Sequence, residues 1–159
     1  MVCLGNICRS PTAEAVLRAS AKEMAIEIEV DSAGAINHHQ GNLPDNRAMR
    51  AGEARGYSFK GITSRQVEAS DFEYFDLILA ADNSNIDDLK LICPMHLQYK
   101  IALFLSYAQA ETNEIPDPYY GGERGFELVL DLLEDASIQL LTILNDFESS
   151  LTKRENCEH

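Results

Sequence analysis

Residues 1–18 read MVCLGNICRSPTAEAVLR. Met1 and Val2 are apolar, Gly5-Asn6 is turn chemistry, and Pro11 fits the first position of a helix with Ser10 as its N-cap. Ala13, Val16, Leu17, Ser20 and Met24 then recur at near-helical spacing. The stretch is the start of a strand–loop–helix unit, the building block of parallel α/β sheets. Only Met1 and Val2 stand ahead of Cys3. The first strand is therefore expected to be cut short, which removes ladder hydrogen bonds from a strand that should be central.

Further along, Ile26, Ile28 and Val30 alternate with Glu27 and Glu29, the pattern of a half-buried strand ending at DSAG (31–34). Residues 35–43 read as loop. Pro44 to Arg55 reads as a helix closed by Gly56, and Ser64 to Ala69 as a short helical piece. The run from Asp76 to Ala81 suits a strand buried on both faces. Asn83 to Leu91 follows as helix, Lys100 to Leu105 as strand and residues 111–122 as a turn-rich loop. From Glu123 onward Phe126, Val129, Leu130, Leu133, Leu140, Leu141 and Leu144 form one amphipathic stripe. The expected fold is an open, doubly wound, four-stranded parallel sheet with helices on both faces. It forms a single domain over residues 1–147, followed by a polar, disordered tail over residues 148–159. In such sheets ligands bind beyond the carboxyl ends of the strands, and the loop after the first strand is a usual place.

The bulk numbers narrow the function. A chain of 159 residues with net charge −13 is a poor partner for nucleic acid or an anionic membrane. No apolar run approaches the ~20 residues of a membrane span, and no secretory signal opens the chain; the expected compartment is the cytoplasm. Four cysteines, Cys3, Cys8, Cys93 and Cys157, are too few and too unevenly placed for a disulfide scaffold. The close pair is thus a candidate for reactivity.

Residues Cys3 to Ser10 carry that chemistry. A loop entering a helix N-terminus offers free backbone N–H groups and the positive end of the helix dipole. Gly5 permits a tight turn, Asn6 tolerates left-handed geometry, and the planar fork of Arg9 holds two phosphate oxygens at once. With Leu4, Ile7 and Cys8, these residues make a cradle for a tetrahedral oxyanion. The same field favours a thiolate, because helix N-termini and arginine lower a cysteine pKa from its usual ~8.5. Cys3 begins the loop and sits at its floor, so it is the expected nucleophile, with Ser10 donating to its sulfur. Two alternatives compete with this. The cysteines could be small buried hydrophobes, or Cys3 and Cys8 could bind zinc with two of His38, His39 and His96, although no four-ligand spacing stands out.

The stretch VCLGNICRSPTAEAV (2–16) resembles the signature of the low-molecular-weight protein tyrosine phosphatases. The likeness continues through DSAG (31–34), the Gly41 to Arg47 region, TSRQV (63–67), DFEYFDLILAAD (71–82) and IPDPYYGG (115–122). It implies the four-stranded parallel fold and cysteine-dependent hydrolysis of phosphotyrosine without metal or other cofactor. It maps Cys3 to the nucleophile, Arg9 to phosphate binding, Ser10 to the sulfur partner, Asn6 to the loop's shape and Asp117 to the general acid. The implied partner is a phosphotyrosine protein, and the chain is expected to be a monomer or weak homodimer.

Asp117 alone, in Pro116-Asp117-Pro118, is most simply a turn residue. A phenolate leaving group, with a pKa of ~10, nevertheless needs a proton as its bond to phosphorus breaks. Tyr119 and Tyr120 then suit an apolar wall for a phenyl ring. Where many family members carry a bulky aromatic after DSAG, this chain has His38 and His39, which implies a more polar pocket rim. A reversible Cys3–Cys8 disulfide that protects the nucleophile is a further hypothesis, and it requires the loop to bring the two sulfurs close. The rival functions are a thiol-dependent arsenate reductase, for which Cys93 is a lone candidate resolving cysteine, and a non-catalytic phosphopeptide-binding module.

Overall fold

The structure is a computed structural model and describes residues 1–155. Four short strands, β1 (Val2–Cys3), β2 (Ala33–Gly34), β3 (Ile78–Ala80) and β4 (Ile101–Leu103), form one parallel sheet in the order β2-β1-β3-β4. Five α-helices connect or cover them: α1 (Arg9–Glu23), α2 (Asn46–Ala54), α3 (Ala69–Tyr74), α4 (Asn83–Ile92) and α5 (Glu123–Glu155). The strand order reverses beside β1, so the crevice at the carboxyl end of β1 is the switch point where doubly wound sheets bind ligands.

The period-two alternation of strands divides the core. Cys3, Leu79 and Ala81 join Val16, Leu17, Phe104, Leu130, Leu133 and Leu141 on the face covered by α1 and α5. Val2, Ile78 and Ala80 join Phe72, Leu89 and Leu97 on the face covered by α3 and α4. The apolar runs are continuous because both faces of the strands are buried. Along α5, Phe126, Val129, Leu130, Leu133, Leu140 and Leu141 are all buried, as their spacing predicts. Arg55, just past α2, pairs with Glu127, Asp131 and Glu134 of α5, and Gly56 closes α2 with φ +90°.

Several boundaries differ from the sequence reading. Helix α1 begins at Arg9 with Cys8 as its N-cap and no side-chain cap bond, so Ser10 lies inside the helix and its hydroxyl is free for another partner. Pro11 is tolerated there because the first helical amides lack intrahelical acceptors anyway. Residues 64–68 are extended rather than helical, and Gln66 bridges to Gly34. The helix starts later, at Ala69, where Glu68 and Asp71 form a reciprocal capping box. The expected tail is helical as far as Glu155, because extending an existing helix costs far less than nucleating one. The remaining expected tail, residues 156–159 with Cys157, lies outside the described residues.

The strand expected over Ile26–Val30 is absent. Among the described residues, no amide from Glu27 to Val30 donates to a backbone carbonyl. Strand β1 is two residues long, and with Val2 paired to Ala33 in parallel register it begins beyond the level of this segment. Ile26, Ile28 and Val30 pack against the α1/α5 core instead. Between this segment and Asp76–Leu79 lies an open, largely apolar cleft of about 720 Å³, which reaches Leu140, Leu144, Phe147 and Leu151 of α5. A variant with five strand-forming apolar residues ahead of Met1 is expected to fill the cleft and pair on both sides. Its thermal midpoint should rise by about 2–4 °C for each kcal/mol gained in a chain of this size. An equal midpoint in the two proteins would show that the cleft accepts no strand.

Candidate active site

The loop from Cys3 to Arg9 is held by its carbonyl oxygens. Ala35 N donates to Cys3 O, Ile36 N to Leu4 O, Asp45 N to Ile7 O, and Thr12 N and Oγ1 to Cys8 O. Ser64 Oγ donates to Gly5 O at 3.0 Å. By contrast, no amide from Leu4 to Arg9 donates to a protein acceptor among the described residues. Amides without a protein acceptor are open to an acceptor from outside the chain, such as an anion. Asn6 turns the chain with φ +55°, and its side chain fixes the turn. Nδ2 donates to Ser10 Oγ at 2.8 Å and Ser32 Oγ at 3.0 Å, while Oδ1 accepts from Arg65 N at 3.1 Å.

Cys3 is 3% exposed, and its sulfur lies 3.0 Å from Ser10 Oγ. Behind it the network continues from Ser32 Oγ, which donates to Glu14 Oε2 at 2.5 Å. Desolvation pushes the Glu14 carboxyl upward, against the pull of Ser32 and Arg18. At Cys8, burial, reinforced by the nearby Asp45 carboxylate, pushes the thiol up to about 12, so Cys8 stays protonated at neutral pH and is a poor nucleophile.

Arg9 is 4% exposed, and one end of its guanidinium is fixed. Nη1 donates to Asp82 Oδ2 at 2.6 Å and to Ile115 O at 3.0 Å. Its Nε and Nη2 make no hydrogen bond among the described residues; Asp117 Oδ2 lies 3.6 Å from Nη2. A fork anchored on one side thus presents its other edge to the cavity. Asp82 arrives at the carboxyl end of β3 and also caps α4 through Asn85 N.

The cavity, about 250 Å³, is lined by Cys3, Leu4, Gly5, Ile7, Cys8 and Arg9 at its base and sides. Ile36, His38, His39, Asp117, Tyr119 and Tyr120 complete its wall and rim. Asp117 is half-exposed and accepts from Tyr119 N at 3.0 Å. The Tyr119 and Tyr120 rings meet edge to face at 4.8 Å. Among the residues expected from sequence, Asn6 and Ser10 stand behind the cradle and all the others line it.

Sequence reasoning missed Ile36 and Asp82, while His39 lines the cavity beside His38 as the rim reading expected. The strand-end Asp82 before a helix was a visible cap signal, but nothing local linked it to Arg9. Cys93 lies in the α3/α4 core, away from the cavity, with its thiol on Pro94 O. Cys3, Cys8 and Cys93 are all free. Among the described residues, no three His, Cys, Asp or Glu side chains gather as a metal site.

Residues 1–153 match the family model described as low molecular weight phosphotyrosine protein phosphatase. The chain belongs to this family. It is 38% identical over 154 residues to a low molecular weight phosphotyrosine protein phosphatase of Schizosaccharomyces pombe, covering 94% of each chain. It is 40% identical over 143 residues to a low molecular weight protein-tyrosine-phosphatase of Bacillus subtilis, covering 88% of this chain and 90% of that one. The crystal structure of a protein tyrosine phosphatase from Entamoeba histolytica superposes with a TM-score of 0.88 at 43% identity, covering 92% and 96% of the two chains.

Low molecular weight phosphatases are thus the frame for this site, and the Gly of DSAG has a steric role in it. A Cβ on Gly34 would lie 2.9 Å from the carbonyl oxygens of both Leu4 and Ile36 and 3.1 Å from the backbone of Gly5. None of these is a movable side chain, so Gly34→Ala must displace the cradle itself. We expect it to destabilise the protein by about 1–3 kcal/mol and to weaken competitive inhibition by inorganic phosphate. A variant with both properties unchanged would mean that the cradle does not depend on this contact.

Proposed function

We propose that Cys3 is the nucleophile, Arg9 the phosphate-binding cation and Asp117 the general acid and base of phosphotyrosine hydrolysis. The observation that carries this is the one-sided bonding of the loop. Its carbonyls are tied outward, its amides lack acceptors, and the Cys3 sulfur lies at the floor. The phosphoryl oxygens take the amides of residues 4–9 and the open edge of Arg9. Cys3 attacks phosphorus as a thiolate, so a sulfur–phosphorus bond forms while the bond to the phenolic oxygen breaks. A thiolate can only accept hydrogen bonds, so Ser10 donates to it while taking a bond from Asn6. Asp117 gives its proton to the departing phenolate. In the second half-reaction the Asp117 carboxylate takes a proton from water, which attacks phosphorus and releases inorganic phosphate and Cys3.

Leu4, Ile36 and His38 on one side and Tyr119 and Tyr120 on the other flank the path of the aryl ring. The depth of Cys3 beneath these exposed rim residues favours phosphotyrosine over the shorter phosphoserine, with His38 and His39 giving the rim polar contacts to substrate. The substrate is a phosphotyrosine protein. A net charge of −13 supports action on proteins rather than at nucleic acid or anionic membranes. Among the described residues no helix is long and apolar enough to cross a membrane. We place the enzyme in the cytoplasm as a monomer or weak homodimer.

Hydrolysis of aryl phosphates tests the assignment. Cys3→Ser should abolish turnover while inorganic phosphate still binds. Asp117→Asn should lower kcat/KM by about 10²–10⁴-fold on phenyl phosphate, and far less on a nitrophenyl phosphate, whose leaving group departs without a proton. Full phosphate binding with no turnover by the unaltered protein would favour a non-catalytic phosphopeptide-binding module. Thiol-dependent arsenate turnover would favour the reductase. Matched phosphotyrosine and phosphoserine peptides test the depth selectivity, and equal rates on both would remove it.

A further inference from the structure

The loop that carries Asp117 is weakly fastened. From Pro116 to Tyr120, every hydrogen bond among the described residues stays within the loop, such as Tyr119 N to Asp117 Oδ1 and Gly121 N to Pro118 O. Its lower end joins α5 through Gly125 N and Gly122 O, and Pro118 is buried beside Gly125. Among the described residues, one ion pair and one cation–ring contact cross from Asp117 and Tyr119 to the body of the protein. One is Asp117 beside Arg9 at 3.6 Å, which belongs to the site itself. The other is Arg47.

Arg47 is in the first turn of α2. Its guanidinium grips Asp45 with two parallel bonds, Nε to Oδ1 and Nη2 to Oδ2, both 3.0 Å. Asp45 is the N-cap of α2, and its carboxylate also accepts from Arg47 N. Its own amide donates to Ile7 O at 2.8 Å, in the phosphate cradle. The face of the same guanidinium covers two rings, with Cζ 5.4 Å from the centroid of Tyr119 and 5.0 Å from that of Phe126. Phe126 is buried with Cys8 and Ala48 under the cradle. The contacts therefore run from Ile7 through Asp45, Arg47 and Tyr119 to Asp117, and from Asp117 back to Arg9. Arginine is suited to this place because its planar fork binds a carboxylate edgewise while its face stacks on aromatics; lysine keeps a cation for the rings but has neither the fork nor the stacking plane.

We propose that Arg47 is a positioning residue for the general acid. It holds Tyr119, and through the Tyr119 amide the Asp117 carboxyl, in fixed register with the phosphate cradle. This rests on the assignment of Asp117 as the acid. Fixing the register matters because the acid and the nucleophile come from segments more than a hundred residues apart. A general acid also works only within hydrogen-bond reach of the leaving oxygen.

The test compares kcat/KM for phenyl phosphate, whose leaving group needs a proton, with that for p-nitrophenyl phosphate, whose leaving group does not. The ratio reads proton donation up to formation of the phosphoenzyme and is insensitive to the later hydrolysis step. Arg47→Met keeps an unbranched apolar stem and removes both the fork and the cation. It should lower kcat/KM for phenyl phosphate by about tenfold and for p-nitrophenyl phosphate by no more than about twofold. The inhibition constant of inorganic phosphate, which reads the cradle alone, should stay within about twofold. Arg47→Lys should fall between the two, because it keeps the cation over the rings and loses the fork. In an Asp117→Asn background, Arg47→Met should add little, since the group it positions is gone.

An equal loss on both substrates, or a phosphate constant that weakens in step, would mean that Arg47 supports the cradle through Asp45 and would overturn the proposal. So would unchanged kinetics. If Asp117→Asn shows a leaving-group-selective loss and Arg47→Met does not, the role of Arg47 alone is wrong. If Asp117→Asn shows none, the acid assignment fails and takes the Arg47 proposal with it.

Discussion

The candidate site depends on one constraint: a seven-residue loop must bond its carbonyls outward and leave its amides without protein acceptors among the described residues. Peptide groups are dipoles, so gathering several N–H groups around an empty centre is unfavourable without either an anion or a fixed outer cage. The cage here is made from distant parts of the chain. Residues 34–36 beside β2, Ser64 and Arg65 in the extended segment, the N-cap of α2 and the first turn of α1 each hold part of the loop. The sheet has short strands, yet it brings all four contributors to its carboxyl end. Most of the irregular chain between the strands serves as this support.

The same logic explains the polar groups behind the loop. Asn6, Ser10, Ser32 and Glu14 are each no more than 2% exposed. They satisfy one another in a chain that ends on the surface Arg18, which pairs with Glu14. Buried polar networks are favourable only when fully connected, and this one has a partner at every member. Its inner end reaches the Cys3 sulfur, so loop shape and sulfur environment are set by the same hydrogen bonds.

The sequence was most legible where chemistry is local. Cys3, Arg9 and the residues between them read as a candidate oxyanion loop because consecutive residues supply the turn, the donors and the cation, and all but Asn6 line one cavity. The apolar run before Asp82 and the stripe on α5 likewise declare their burial through spacing alone. What could not be read depends on neighbours far along the chain. Residues 26–30 have the alternation of a strand, but a strand exists only beside a partner, and β1 begins beyond their level. Ser10 has the identity of a helix cap, but the hydroxyl bonds to Cys3 and Asn6, so the helix begins a residue before it. Asp82 and Arg47 act across large sequence separations, on Arg9 and Tyr119 respectively. Their identities suggest only a cap and a surface charge.

The state of Cys8 bears on how substrate enters. A phosphate monoester is a dianion near neutral pH, and the proposed mechanism already sets one sulfur anion, that of Cys3, against it. Two unit charges about 4 Å apart repel by about 4 kcal/mol at an effective dielectric of 20. A second ionised sulfur at the rim would therefore tax every incoming ester by something of that order. Burial of the Cys8 side chain beside Asp45 keeps it uncharged, and the doorway carries one repulsive centre fewer than its composition suggests. A substitution there by an acidic residue would oppose admission itself, even with the chemical machinery beneath it intact.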